Sequence, residues 1–130
     1  MSNFKFSQRS ETNLRGVNPD LVRVVRRALE ITKRDFTVIE GKRTEARQRQ
    51  LVLNGKSKTM NSRHLSGNAV DLLPVGADWN NYKGWLPVLD AVYKAGRELN
   101  IKLRFGITWT DCPNDTPAKF LDAPHVEIPA

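Results

Sequence analysis

The stretch NSRHLSGNAVDLL, residues 61–73, decides the fold. Its first half is polar and turn-forming, with Ser62, His64, Ser66 and Gly67. Its second half, NAVDLL, has strand character that stops at Pro74. Side chains alternate between faces along a strand, so Ala69, Asp71 and Leu73 share one side and Val70 and Leu72 the other. The chain has 2 histidines, and the second, His125, stands in HVEI (125–128), another short strand pattern. There His125 and Glu127 share a side, and Val126 and Ile128 point oppositely. If the two strands pair, Asp71 and His125 meet on one face of a sheet. The loose path through Ser66 and Gly67 then lets His64 fold over to join them.

The flanking elements complete an α+β pattern. A helix is expected over about residues 19–33, capped by Asn18, with Pro19 and Asp20 suited to its first turn. Leu21, Val24, Val25, Ala28 and Leu29 fall on one face of it, and Arg23, Arg26, Arg27 and Glu30 lie largely off that face. FTVIE (36–40) reads as a strand ended by Gly41, and Thr44 caps a second helix that runs to Leu53 and stops at Asn54–Gly55. A longer helix is expected over 81–99, with Leu86, Leu89, Val92, Tyr93 and Leu99 inward and Pro87 either in its first turns or kinking it. IKLRFGI (101–107) alternates as a half-buried strand does. The fold class that follows is α+β: a single small, largely antiparallel sheet with flanking helices.

Bulk properties bound the function. At 130 residues the chain is expected to be one domain, with 39% hydrophobic and 27% charged residues, as in an ordinary water-soluble protein. No run approaches the ~18 apolar residues of a membrane span, and the start, MSNFKFSQRS, lacks the apolar core of a secretory signal. One cysteine, Cys112, excludes an internal disulfide framework and reads as a loop thiol. A net charge of +7 fits either a polyanionic partner (nucleic acid, anionic lipid or bacterial wall polymer) or simple solubility, and charge alone does not name the partner. Basic clusters stand at RVVRR (23–27), KRTEARQR (42–49) and KSK (56–58), without the aromatic stripe or zinc-finger spacing of nucleic-acid readers.

His64, Asp71 and His125 form a catalytic-type zinc set, three protein ligands with a fourth position left for water. A closed structural site normally takes four ligands, several of them cysteines, and Cys112 alone does not supply them. An open zinc lowers the pKa of its water to about 7. Such a site needs a general base that is not a ligand. Asp122, in DAPH, and Glu127, on the His125 side, both qualify, and spacing leaves the choice open. Of the tryptophans, Trp79 and Trp85 are expected in the core, and Trp109, in TWTDCPND, is expected to line a groove.

SRHLSGNAVDL matches the S-x-H-x-x-G-x-A-x-D signature of the zinc D-Ala-D-Ala peptidases of the Hedgehog/DD-peptidase fold, DAPHVE matches their acidic-x-x-His element, and EGKRT matches their G-x-R-[ST] segment. With the FKF start and the LNIKLRFG strand, the chain most resembles bacteriophage endolysins of the L-alanyl-D-glutamate peptidase type. The resemblance implies one zinc per chain on His64, Asp71 and His125, with Asp122 as the base where many relatives carry glutamate. It also implies that Arg43 steadies the oxyanion or a substrate carboxylate, and that Ser62 supports the site or binds substrate. Glu127 is then expected to orient a ligand or pair with a nearby cation.

The implied activity is cleavage of the L-Ala–D-Glu bond of peptidoglycan by a monomeric, single-domain lysin over residues 1–130 with no separate wall-binding domain. It would act without nucleic acid or membrane insertion, held in the host cytoplasm until a holin releases it to the wall. The same signature serves a D,D-carboxypeptidase or dipeptidase acting on D-Ala-D-Ala. The alternative of another class is a non-enzymatic basic module that binds wall polymer or nucleic acid.

Overall fold

The computed structural model describes residues 3–57, 60 and 62–129; Lys58 of the basic cluster and Asn61 of the opening stretch lie outside the described residues. The first element, α1 (Gln8–Asn13), is a helix the sequence pattern did not disclose, capped by Ser7. It works at a sheet edge. Ser10 Oγ accepts from the buried Val38 N–H at 3.0 Å, and Asn13 Nδ2 donates to Val38 O at 2.8 Å. Those side chains satisfy an outer strand edge that has no neighbouring strand among the described residues.

Asn18 caps α2 (Pro19–Ile31), whose buried face is the expected one, Leu21, Val24, Val25, Ala28 and Leu29. The helix stops short of residue 33 because Thr32 turns extended and its Oγ1 exchanges hydrogen bonds with the Arg34 backbone. Next come β1 (Phe36–Glu40), α3 (Glu45–Leu53, capped by Thr44) and β2 (Ala69–Pro74). The helix expected over 81–99 begins as a 3-10 turn at Tyr82–Trp85 and continues as α4 (Leu86–Leu99), with Pro87 in its first turn. Its buried face centres on Val88, Leu89, Ala91, Val92, Ala95 and Gly96, while Leu86, Tyr93 and Leu99 pack partly buried at the margin.

The strand expected over 101–107 is only β3 (Arg104–Phe105). Ile101 N–H is taken by Gly96 O to close α4, and beyond Phe105 the chain turns, with Trp109 N–H returning to Phe105 O. The last strand is β4 (His125–Glu127). All pairings are antiparallel, in the order β1-β2-β4-β3. Val38, Val70, Leu72, Phe105 and Val126 point from the sheet into one core shared with α2 and α4. Trp85 joins that core and its indole donates to Leu72 O at 2.8 Å, whereas Trp79, expected inside, is 61% exposed against the Trp85 ring.

Candidate metal centre

The sheet places two of the candidate ligands by register alone. β2 and β4 pair Ala69 with Glu127, Val70 with Val126 and Asp71 with His125. Because Val70 and Val126 bury in the core, the pleat sends Asp71, His125 and Glu127 to the opposite face. His64 arrives from the turn at residues 63–67. Ser62 Oγ accepts the His64 N–H at 3.2 Å, and Gly67, at φ +78°, passes so close to Gly16 that a Cβ would meet its carbonyl oxygen at 2.5 Å.

The three side chains converge. His64 Nε2 lies 3.2 Å and His125 Nδ1 3.5 Å from Asp71 Oδ1. One ligand atom from each falls within 4.8 Å of the others. Both rings are oriented from their far side: His64 Nδ1 meets Gly41 O at 2.9 Å, and His125 Nε2 meets Glu127 Oε1 at 2.7 Å. This is how metal-ligating imidazoles are held, with one nitrogen bonded to a carbonyl or carboxylate and the other left for the ion. Asp71 Oδ1 is buried and makes no hydrogen bond among the described residues, although both imidazoles face it. An orphaned carboxylate oxygen between two oriented rings fits a cation. Glu127 therefore sits where an orienting group sits.

The electrostatics of the metal-free cluster agree. Burial opposes the charge on Asp71, but the His125 and His64 rings hold its carboxyl well below the usual range. Burial likewise opposes the His125 imidazolium, and Asp71 with Glu127 overrides it, lifting His125 to about 9. Glu127 is also opposed by burial and lowered in the net by His125. Asp122 differs: burial and then the Asp71 carboxylate push its carboxyl up.

Arg43, Ser62, His64, Asp71, Trp109, Asp122, His125 and Glu127 all line one cleft of about 380 Å³. Asp122 is held through its backbone, its N–H bonding Gly106 O at 2.8 Å and its C=O accepting from His125 N at 3.1 Å. Gly106 has to be glycine here, since a Cβ would meet Asp122 O at 2.3 Å. Trp109 lies on the cleft wall in a left-handed conformation, φ +54°, its ring 5.3 Å from that of His125. Its indole N–H bonds Phe120 O at 3.0 Å.

Two site residues were not foreseen. The β1–β2 register slips at a bulge between Val38 and Glu40, so that Glu40 stands opposite Asp71. Without the extra residue Glu40 would face the core. Its carboxylate instead grips Arg43, from Nε at 2.6 Å and Nη2 at 2.8 Å. Gln48 accepts from Arg43 Nη1 at 2.6 Å. The Glu40 in EGKRT was the available signal, but a bulge leaves no mark in alternation.

Fold and site together define a class: a small α+β protein in which two sheet residues and one turn residue form a set able to hold a metal ion. Residues 1–128 match the family model described as phage L-alanyl-D-glutamate peptidase, and the chain belongs to that family. It is 40% identical to the L-alanyl-D-glutamate peptidase of Escherichia phage T5, over 96% of this chain and 98% of that protein. A crystal structure of the Serratia marcescens L-Ala D-Glu endopeptidase ChiX superposes with a TM-score of 0.83 at 40% identity, covering 97% of this chain and 90% of that one. Among the described residues, no helix is long and apolar enough to cross a membrane.

Proposed function

We propose that this protein is a zinc-dependent endopeptidase that cuts the L-Ala–D-Glu amide of peptidoglycan stem peptides, acting as a monomeric lysin. The observation that carries the reading is the convergence of two oriented imidazoles on the orphaned Asp71 oxygen, in a chain of this family. His64, Asp71 and His125 would hold the ion. When bound, zinc supplies Lewis-acid polarisation of the carbonyl and an acidified water.

The rest falls to side chains. Asp122, with its raised carboxyl, takes the proton of the attacking water and passes it to the amine that leaves with D-Glu. Arg43 places a fixed positive charge beside the cleft floor, with one N–H on each Nη not engaged by Glu40 or Gln48, suited to the oxyanion that develops on the L-Ala carbonyl. Ser62 holds the His64 turn, and Trp109 walls the substrate path. Such a protein acts on the wall after a holin opens the host membrane, and its charge of +7 assists attraction to anionic wall polymer.

Product analysis of purified Gram-negative peptidoglycan tests the reading. The expected products are stem peptides beginning with D-Glu, formed only while zinc is present and lost on chelation. Release of D-Ala alone would reassign the substrate to D-Ala-D-Ala, and full activity in strong chelator would remove the metal.

A further inference from the structure

We infer that Gln48 is a positioning residue for this reaction, acting through Arg43; the inference rests on the role given to Arg43 above. The helix that carries it is unusual. α3 exposes Leu53, and the residue it buries is Gln48, with a relative exposure of 0%. A side-chain amide withdrawn from water costs stability unless both of its ends are bonded. Here both ends face the site. Oε1 accepts from Arg43 Nη1 at 2.6 Å, and Nε2 donates to Ser57 Oγ at 2.8 Å.

The geometry gives that placement a purpose. Glu40 forks onto Nε and Nη2, gripping one edge of the guanidinium. Gln48 takes Nη1, a different corner of the same rigid plane, so that a pair and a single contact fix both position and tilt. Held this way, Nη2 stops 4.0 Å from Asp71 Oδ2, beside the metal set and short of a direct hydrogen bond. The same amide fastens Ser57, which with Lys56 lines the cleft beyond α3. One buried side chain therefore sets the aim of the arginine and anchors the neighbouring wall. An apolar residue of similar size would fill the space and leave Nη1 without its partner.

The test uses the zinc-loaded protein and a soluble muropeptide containing the L-Ala–D-Glu bond. Gln48→Leu is expected to lower kcat about tenfold or more with KM within about twofold, because a small misplacement of a charge-stabilising group weighs on the transition state. Zinc content should stay at the wild-type level. Gln48→Glu keeps an acceptor for Nη1 and is expected to remain within about threefold of wild type. In an Arg43→Ala background, Gln48→Leu should add no further loss, since coupled residues are not additive.

A neutral Gln48→Leu beside an impaired Arg43→Ala would overturn this inference alone, as would losses that multiply in the double variant. Full activity of Arg43→Ala would remove the arginine from the proposed mechanism and this inference with it. Should the leucine variant not fold, Gln48→Glu decides: a loss equal to that of Arg43→Ala sinks the idea.

Discussion

His125 and His64 reach the same carboxylate oxygen by different physics. His125 sits in a strand whose neighbours are core residues, and its direction follows from the pairing of Val70 with Val126. His64 sits in a turn outside the hydrophobic core, held by Ser62 Oγ, by the Arg43 N–H to its carbonyl at 2.8 Å and by Gly41 O on its ring. One side of the site is positioned by burial, the other by polar bonds and close backbone approach. The first tolerates error in its surroundings, because a register slip would turn every apolar side chain outward. The second depends on a few single contacts.

The largest effects come from removing what both sides share. Asp71→Asn is expected to abolish zinc binding and activity together, measured by metal analysis and by wall lysis, because the amide offers no charge to the ion. Asp122→Ala should keep one zinc per chain and still lose on the order of 10²-fold or more in kcat. A variant at Asp122 with full activity would return the choice of base to Glu127.

Next in size is a pair that contrasts the two orienting groups. Glu127→Gln replaces the carboxylate behind His125 and should weaken zinc affinity about 10–100-fold, read by competition with a chelator, while metal-free protein loses only the part of the His125 stabilisation that Glu127 supplies. The group behind His64 is a backbone carbonyl, so it can be disturbed only through the backbone. Gly41→Ala would drive a Cβ to 1.9 Å from Asn13 O and 2.8 Å from Val17 Cγ2. It should cost about 1–3 kcal/mol of stability in a denaturant melt, whether or not metal is bound. Equal stability losses in both variants would erase the contrast.

That division also marks how far the sequence could be read. Alternation in NAVDLL and HVEI carries Asp71, His125 and Glu127 to one face, because period-two patterning against a core is a strong physical signal. The α2 face was legible for the same reason at helical spacing. What was not legible is held by polar contacts. α1 has no apolar stripe, the bulge that turns Glu40 from the core to the site face leaves no mark in the alternation, and Gln48 looks like any exposed helix glutamine. IKLRFGI alternates convincingly, yet the needs of the α4 terminus and the Gly106 turn consume most of it. Arg43 and Ser62 entered through resemblance, which also chose Asp122 over Glu127 as the base, and the cleft they share is a property of the fold alone.

The burial-positioned side makes a pH prediction for metal-free protein. His125 is raised from 6.5 to about 9 in the folded chain. A raised value means that folding favours the protonated ring, so this stabilisation is complete below about pH 6.5 and is lost as pH climbs through about 9. Thermal melts of the metal-free protein should therefore drop across that window. Zinc must displace the same proton, so at pH 7 binding should release about one proton per ion, counted by calorimetry in buffers of different ionisation enthalpy. No proton release at pH 7 would place His125 neutral before the metal arrives.

The smallest effects compare two contacts of α1, one buried and one exposed. Ser10→Ala removes the acceptor for the buried Val38 N–H and should cost about 1–3 kcal/mol, since the amide is left without a partner. Arg26→Ala removes a fork onto Glu11, at 2.9 and 2.7 Å, whose two side chains are each more than 40% exposed. Water and salt screen such a pair, and the loss should be about 0.2–1 kcal/mol, smaller still at high ionic strength. The arginine lowers the Glu11 carboxyl below 4.5, so the pair's contribution is present above that pH and fades as pH falls through the lowered value. Melts at pH 7 and pH 3 should then show wild type and Arg26→Ala converging at the acid end. Ser10→Ala should stay separated at both, because a missing amide partner has no charge to titrate.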